Sequence, residues 1–115
     1  MQPEAPKLLE DIRDAADFIL KSVADKTLDQ FRLDRLLYQA VERNFEIIGE
    51  AMNRLAKADA QTASQINRYP QIVAFRNILI HGYDIVDREI VWHVIHNDLP
   101  SLLKQTIHLL RDASP

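Results

Sequence analysis

The chain has 115 residues, 47% of them hydrophobic and 27% charged, the proportions of an ordinary globular domain. It has no cysteine, which excludes disulfides, thiolate metal sites and cysteine nucleophiles. Its two glycines leave no phosphate-cradling loop and little turn chemistry for a sheet, and its net charge of −3 argues against a broad basic surface for nucleic acid. Surface scaling allows one domain over residues 1–115, with about two thirds of the unfolded surface buried. Met1 to Lys7 lacks the basic and apolar regions of a signal peptide, and no apolar run approaches a membrane span, so a cytoplasmic location without membrane contact is expected. The single net-positive window is 65–88, with three bases against two acids.

From Leu8 to Val23 the residues Leu8, Ile12, Ala15, Ala16, Ile19 and Val23 recur every three or four positions, one stripe of an amphipathic helix. The polar stretch from Asp25 to Arg32 ends it, with Asp29 or Asp34 available to cap the next helix. There the apolar positions Leu36, Leu37, Ala40, Val41, Phe45, Ile47, Ile48, Ala51, Met52 and Leu55 hold the helical period for about six turns. Residues 58–69 predict a short helix or irregular connector, and Pro70 stands in the first turn of a new helix. The last helix is expected to start near Asp84 or Asp87. Its pairs run from Ile90 and Val91 to Leu109 and Leu110 in one phase, so Pro100 is expected to kink one helix rather than divide two. The expected fold is all-α: an antiparallel up-and-down four-helix bundle with a short extra connector helix.

The stretch Pro70 to Tyr83 reads PQIVAFRNILIHGY. On a wheel starting at Ile72 its apolar residues spread almost all round, so this helix is buried on most sides, in a core or a subunit interface. Arg76 falls among them at about 40°, with Asn77 and His81 at about 140° and 180°. An arginine so placed is paired or lines a cleft. Gly82 suits a left-handed position that would stop the helix at His81 and let its ring turn towards Arg76. Imidazole exchanges protons near neutral pH, a guanidinium holds a phosphoryl group, and an amide orients either. Together they are the parts for phosphodiester chemistry.

The pattern Arg76, four residues, His81, one residue, Tyr83 resembles the RX4HXY signature of the HEPN superfamily, specifically the HepT-like (DUF86) toxins. The resemblance extends over nearly the whole chain, including RNFEIIGEA at Arg43 to Ala51 and IVWHVIHNDLP in the last helix. It implies a single HEPN-like domain, an endoribonuclease without metal or other cofactor, acting as a homodimer and possibly a higher oligomer. Arg76 and His81 would be the catalytic pair, with Asn77 supporting them. The implied reaction is attack of an RNA 2′-hydroxyl on the adjacent phosphate. The implied partner is a minimal nucleotidyltransferase antitoxin that attaches AMP to the motif tyrosine, here Tyr83, in a toxin–antitoxin pair.

Plainer readings stand beside these. Arg76 could be a structural arginine paired to Glu46 or Glu50. His81 could be a helix-terminal histidine favoured by the dipole, and Tyr83 a packing aromatic. Glu42, Glu46 and Glu50 recur at four-residue spacing, but without the Glu-x-x-His repeats of a di-iron bundle; Glu50 with Arg54 is more simply an ion pair. His93 and His96 lack a third metal ligand, and Trp92 fits packing better than base stacking. The alternative functions are a non-catalytic HEPN module that binds nucleotide or substrate for a nucleotidyltransferase, and a plain dimeric interaction domain.

Overall fold

The apolar stripes predict which faces meet, and in the computed structural model, which describes residues 1–82, 84 and 86–113, they converge on one core. Helix α1 (Ala5–Val23) buries Leu9, Ile12, Ala15, Ala16, Ile19 and Val23. Ala5 begins the buried row and Leu9, rather than Leu8, continues it, with Leu8 half-buried at its edge. Each large side chain so removed from water contributes about 1.5–3 kcal/mol. The stretch expected to be a polar connector instead folds into α2 (Leu28–Leu33). Its start is closed reciprocally: Gln30 N donates to Thr27 Oγ1 at 3.2 Å, and Thr27 N to Gln30 Oε1 at 2.9 Å. Phe31, a lone aromatic among polar neighbours, is fully buried and anchors the turn of helix that spacing alone does not reveal.

Helix α3 (Arg35–Ala58) is the longest element. Asp34 caps it as expected, accepting from Leu37 N at 3.1 Å, and its buried face runs through Val41, Phe45, Ile48, Gly49, Ala51, Met52 and Leu55. Asp59 closes α3 through its own N–H to Leu55 O at 2.7 Å and opens α4 (Ala60–Ser64) by accepting from Thr62 N. Gln2 N also donates to Asp59 Oδ2, at 2.9 Å, so one carboxylate joins three parts of the chain. Helix α5 (Tyr69–His81) begins with Pro70 in its first turn, after Arg68 in the left-handed region at φ 61°.

The expected single kinked helix at the end is two helices, α6 (Arg88–Asn97), capped by Asp87, and α7 (Leu99–Ala113). Pro100 has no N–H for the carbonyl of residue 96, so the ladder breaks at Asp98 and Pro100 enters the first turn of a new helix. The apolar phase survives because both helices rest on the same core, through Val91 and Ile95, then Leu99, Leu102 and Leu109. Helix α1 packs along α3 and α7, α5 lies on α3, and α2 bridges α3 to α6. The fold is an all-α, HEPN-like helical bundle, with seven helices among the described residues. None of these is long and apolar enough to cross a membrane.

Candidate active site

Helix α5 packs on α3. Phe75 meets Phe45 edge to face, with ring centroids 5.1 Å apart, and Leu79 is buried. Arg76 follows Phe75 and so meets α3 as well. Its stem passes over Gly49, where an added Cβ would overlap Arg76 Cβ and Cγ. Glu50, the next residue, receives the guanidinium: Arg76 Nη2 donates to Glu50 Oε2 at 2.9 Å, while Nη1 donates to Asn77 Oδ1 at 3.0 Å. The other Glu50 oxygen accepts from Arg54 Nε, also at 2.9 Å. The hydrogen bond from Arg54, opposed by partial burial and helped by the charge of Arg76, holds the Glu50 carboxyl below the usual carboxylate range.

Arg76 has five N–H donors. Two are engaged as above, and Nε is buried without a partner among the described residues. One N–H on each terminal nitrogen stays uncommitted among the described residues. The side chain is 24% exposed and borders a cavity of about 220 Å³, shared with Leu8, Arg43, Glu46, Arg54 and Ile80.

His81 is the last residue of α5 and is exposed. The helix stops where the sequence predicts, with Gly82 N donating to Ile78 O at 2.8 Å. Gly82, however, has φ −126° and ψ 34°, so the expected left-handed turn is not made; its amide still closes an ordinary helical bond. His81 therefore leaves α5 in the helical direction, about 7.5 Å along the axis from Arg76 and about 140° around it. It hydrogen-bonds neither Arg76 nor Asn77, and it does not line the cavity that Arg76 lines. Arg76 and Asn77 are thus together, while His81 stands apart and open to solvent. Tyr83 lies outside the described residues.

Of the remaining candidates, Glu46 pairs with Arg43 at 3.2 Å, and burial pushes the Glu42 carboxyl up against the lowering effect of Arg88. His96 Nδ1 bonds Trp92 O at 2.9 Å and its ring lies 4.4 Å from that of Trp92, which in turn meets Phe31 at 5.3 Å. These contacts make Trp92 a packing residue. His93 is exposed. Among the described residues no group of three or more His, Asp or Glu could hold a metal ion.

Gly49 is the residue that sequence reasoning missed. A glycine within a long helix costs up to about 1 kcal/mol relative to alanine, and in a chain with two glycines that cost is a signal of close approach.

The opposite side of α5 borders an apolar groove of about 550 Å³, lined by Phe45, Ile72, Phe75, Ile78, Val94 and Leu102 among others. Ile78 there is 57% exposed.

The family model described as Ribonuclease HepT-like matches residues 9–109. A protein of Methanocaldococcus jannaschii provisionally named an RNase is 33% identical over 91% of this chain and 83% of its own length. A similarly named protein of Caldanaerobacter subterraneus is 33% identical over 90% of this chain and 91% of its own. A Thermococcus cleftensis protein named probable ribonuclease HepT is 32% identical, covering 82% and 84%. No solved structure matches.

Proposed function

The chain belongs to the HepT-like ribonuclease family, and from that premise we propose that it is a metal-independent endoribonuclease that works as a homodimer, with Arg76, Asn77 and His81 as its catalytic residues. The carrying observation is that Arg76 is held with an N–H spare on each terminal nitrogen, on the same helix that ends in a solvent-open His81. A phosphate taking both spare donors would be gripped in the planar fashion that suits a guanidinium. His81 exchanges the proton of an attacking RNA 2′-hydroxyl or of the departing 5′-oxygen, Arg76 steadies the pentacoordinate charge, and Asn77 orients the guanidinium.

Within one copy the two side chains leave α5 on different sides. A second copy meeting this helix about a two-fold axis would bring two of each residue towards a common cleft. It would also double the local cationic groups, which suits an acidic protein that handles RNA.

The same reading extends to regulation by a minimal nucleotidyltransferase antitoxin, with Tyr83 as the AMP acceptor. A bulky anion two residues from His81 would fill the phosphate site and oppose its charge.

The test is cleavage of RNA by the purified protein in excess chelator. The folded His81→Ala variant is expected to lose about 10²–10⁴-fold in rate. Cleavage that stops on adding chelator removes the metal-independent part, undiminished cleavage by the variant removes His81 from the mechanism, and nucleotide binding without any cleavage points to a binding module.

A further inference from the structure

Gly49 and Glu50 lie on α3, not on the helix that carries Arg76, and nothing in the cleavage chemistry above calls for either. We propose that Glu50 is a positioning residue for Arg76, fixing the guanidinium before RNA arrives and tempering its charge; the inference rests on the role given to Arg76 above. The stem of Arg76 lies in the notch left by Gly49. Its head is held from two directions, by Glu50 at 2.9 Å and by Asn77 at 3.0 Å. Glu50 is itself held, since Arg54 occupies its second oxygen. Glu46, the other α3 carboxylate bordering the cavity, is engaged by Arg43 and does not replace it.

An arginine stem has several rotatable bonds, and ordering it during the reaction would add to the barrier. Ordering it beforehand takes that cost out of the chemical step. The same carboxylate is a negative charge beside the position an anionic phosphate would take, so it weakens substrate binding. Removing it therefore slows turnover while tightening substrate binding, so that both turnover and KM fall, which loss of fold would not do.

The experiment is Glu50→Ala, a half-exposed position within a long helix where alanine is the best helix former. Turnover of a short RNA in chelator is expected to fall about tenfold as the guanidinium loses its orientation. KM is expected to fall about threefold as the opposing charge is removed. Unchanged turnover, or slower turnover with KM unchanged or raised, overturns the proposal.

A second readout needs no cleavage. The ¹⁵N–¹H relaxation of Arg76 Nε is expected to report a rigid group in the parent protein and a mobile one in Glu50→Ala. Equal mobility in both overturns the positioning role. A parent protein that cuts no RNA would defeat the ribonuclease reading, while this relaxation comparison still decides the role of Glu50.

Discussion

At Gly49 two opposing terms can be weighed. Alanine there would gain up to about 1 kcal/mol in helix propensity, but its Cβ would overlap Arg76 Cβ and Cγ. Those atoms are fixed close to the α5 backbone and cannot swing aside, so overpacking, at about 1–3 kcal/mol or more, dominates. Gly49→Ala is expected to lower the thermal midpoint by several degrees, at about 4–8 °C per kcal/mol, and to displace Arg76 from Glu50. A midpoint raised above that of the parent in a calorimetric scan would show that α5 does not rest there. The pairing of Glu50 with Arg54 was legible from spacing, and that of Arg76 with a carboxylate, Glu46 or Glu50, from the rarity of a buried unpaired guanidinium; the choice of Glu50 was not. The notch beneath Arg76 was not, because it arises between helices and leaves no periodic trace.

Among elements, the corner between α3 and α4 depends on Asp59. Its carboxyl accepts from Gln2 N, Thr62 Oγ1 and Thr62 N, and these bonds, Gln2 foremost, hold it below its ordinary value. A folded value below the unfolded one contributes stability that is complete above the unfolded value, about 3.9, and is lost as pH falls through the folded value. Urea midpoints of the parent protein are therefore expected to drop below about pH 4. Asp59→Asn should be less stable at neutral pH and show a shallower acid decline; parallel curves for the two proteins would contradict this. The long helices were readable because an amphipathic stripe repeats many times along α1, α3 and α7. Helix α2 rests on one phenylalanine and a reciprocal cap, too short a run for any period. The division at Asp98 escaped notice because a shared core keeps α6 and α7 in phase across the break.

The whole molecule exposes 7060 Å², against about 6,400 Å² for a compact monomer of this mass. Part of that surface is the groove bordered by Phe75 and Ile78, on the helix whose composition predicts burial on most sides. A second copy covering α5 would account for that composition. For the homodimer proposed above, Ile78→Asp is expected to shift the protein to monomer in sedimentation velocity and to remove RNA cleavage while the helical circular dichroism is kept, and a parent protein that is already monomeric would remove the proposed dimer. A variant that stays dimeric would move the interface elsewhere. Fold class was legible at this scale from glycine scarcity and helical period together. A homodimer is implied only by the family resemblance, since a single chain's spacing cannot register contacts with another.

Helix α5 is fastened by charge at its start and in its second half, and by grease on the core. Arg68, beside its first turn, reaches Asp98 at 3.5 Å across largely exposed side chains, Arg76 reaches Glu50 in its second half, and Phe75 and Leu79 bear on the core. Ionic strength acts on these fastenings unequally. With a Debye length of about 3 Å in molar salt, the clasp at Arg68 is screened first and the half-sheltered one at Arg76 less, while the apolar bearing tightens slightly if the salt is kosmotropic. Brine would thus loosen the rod at its leading end and leave it pivoting on its aromatic seat.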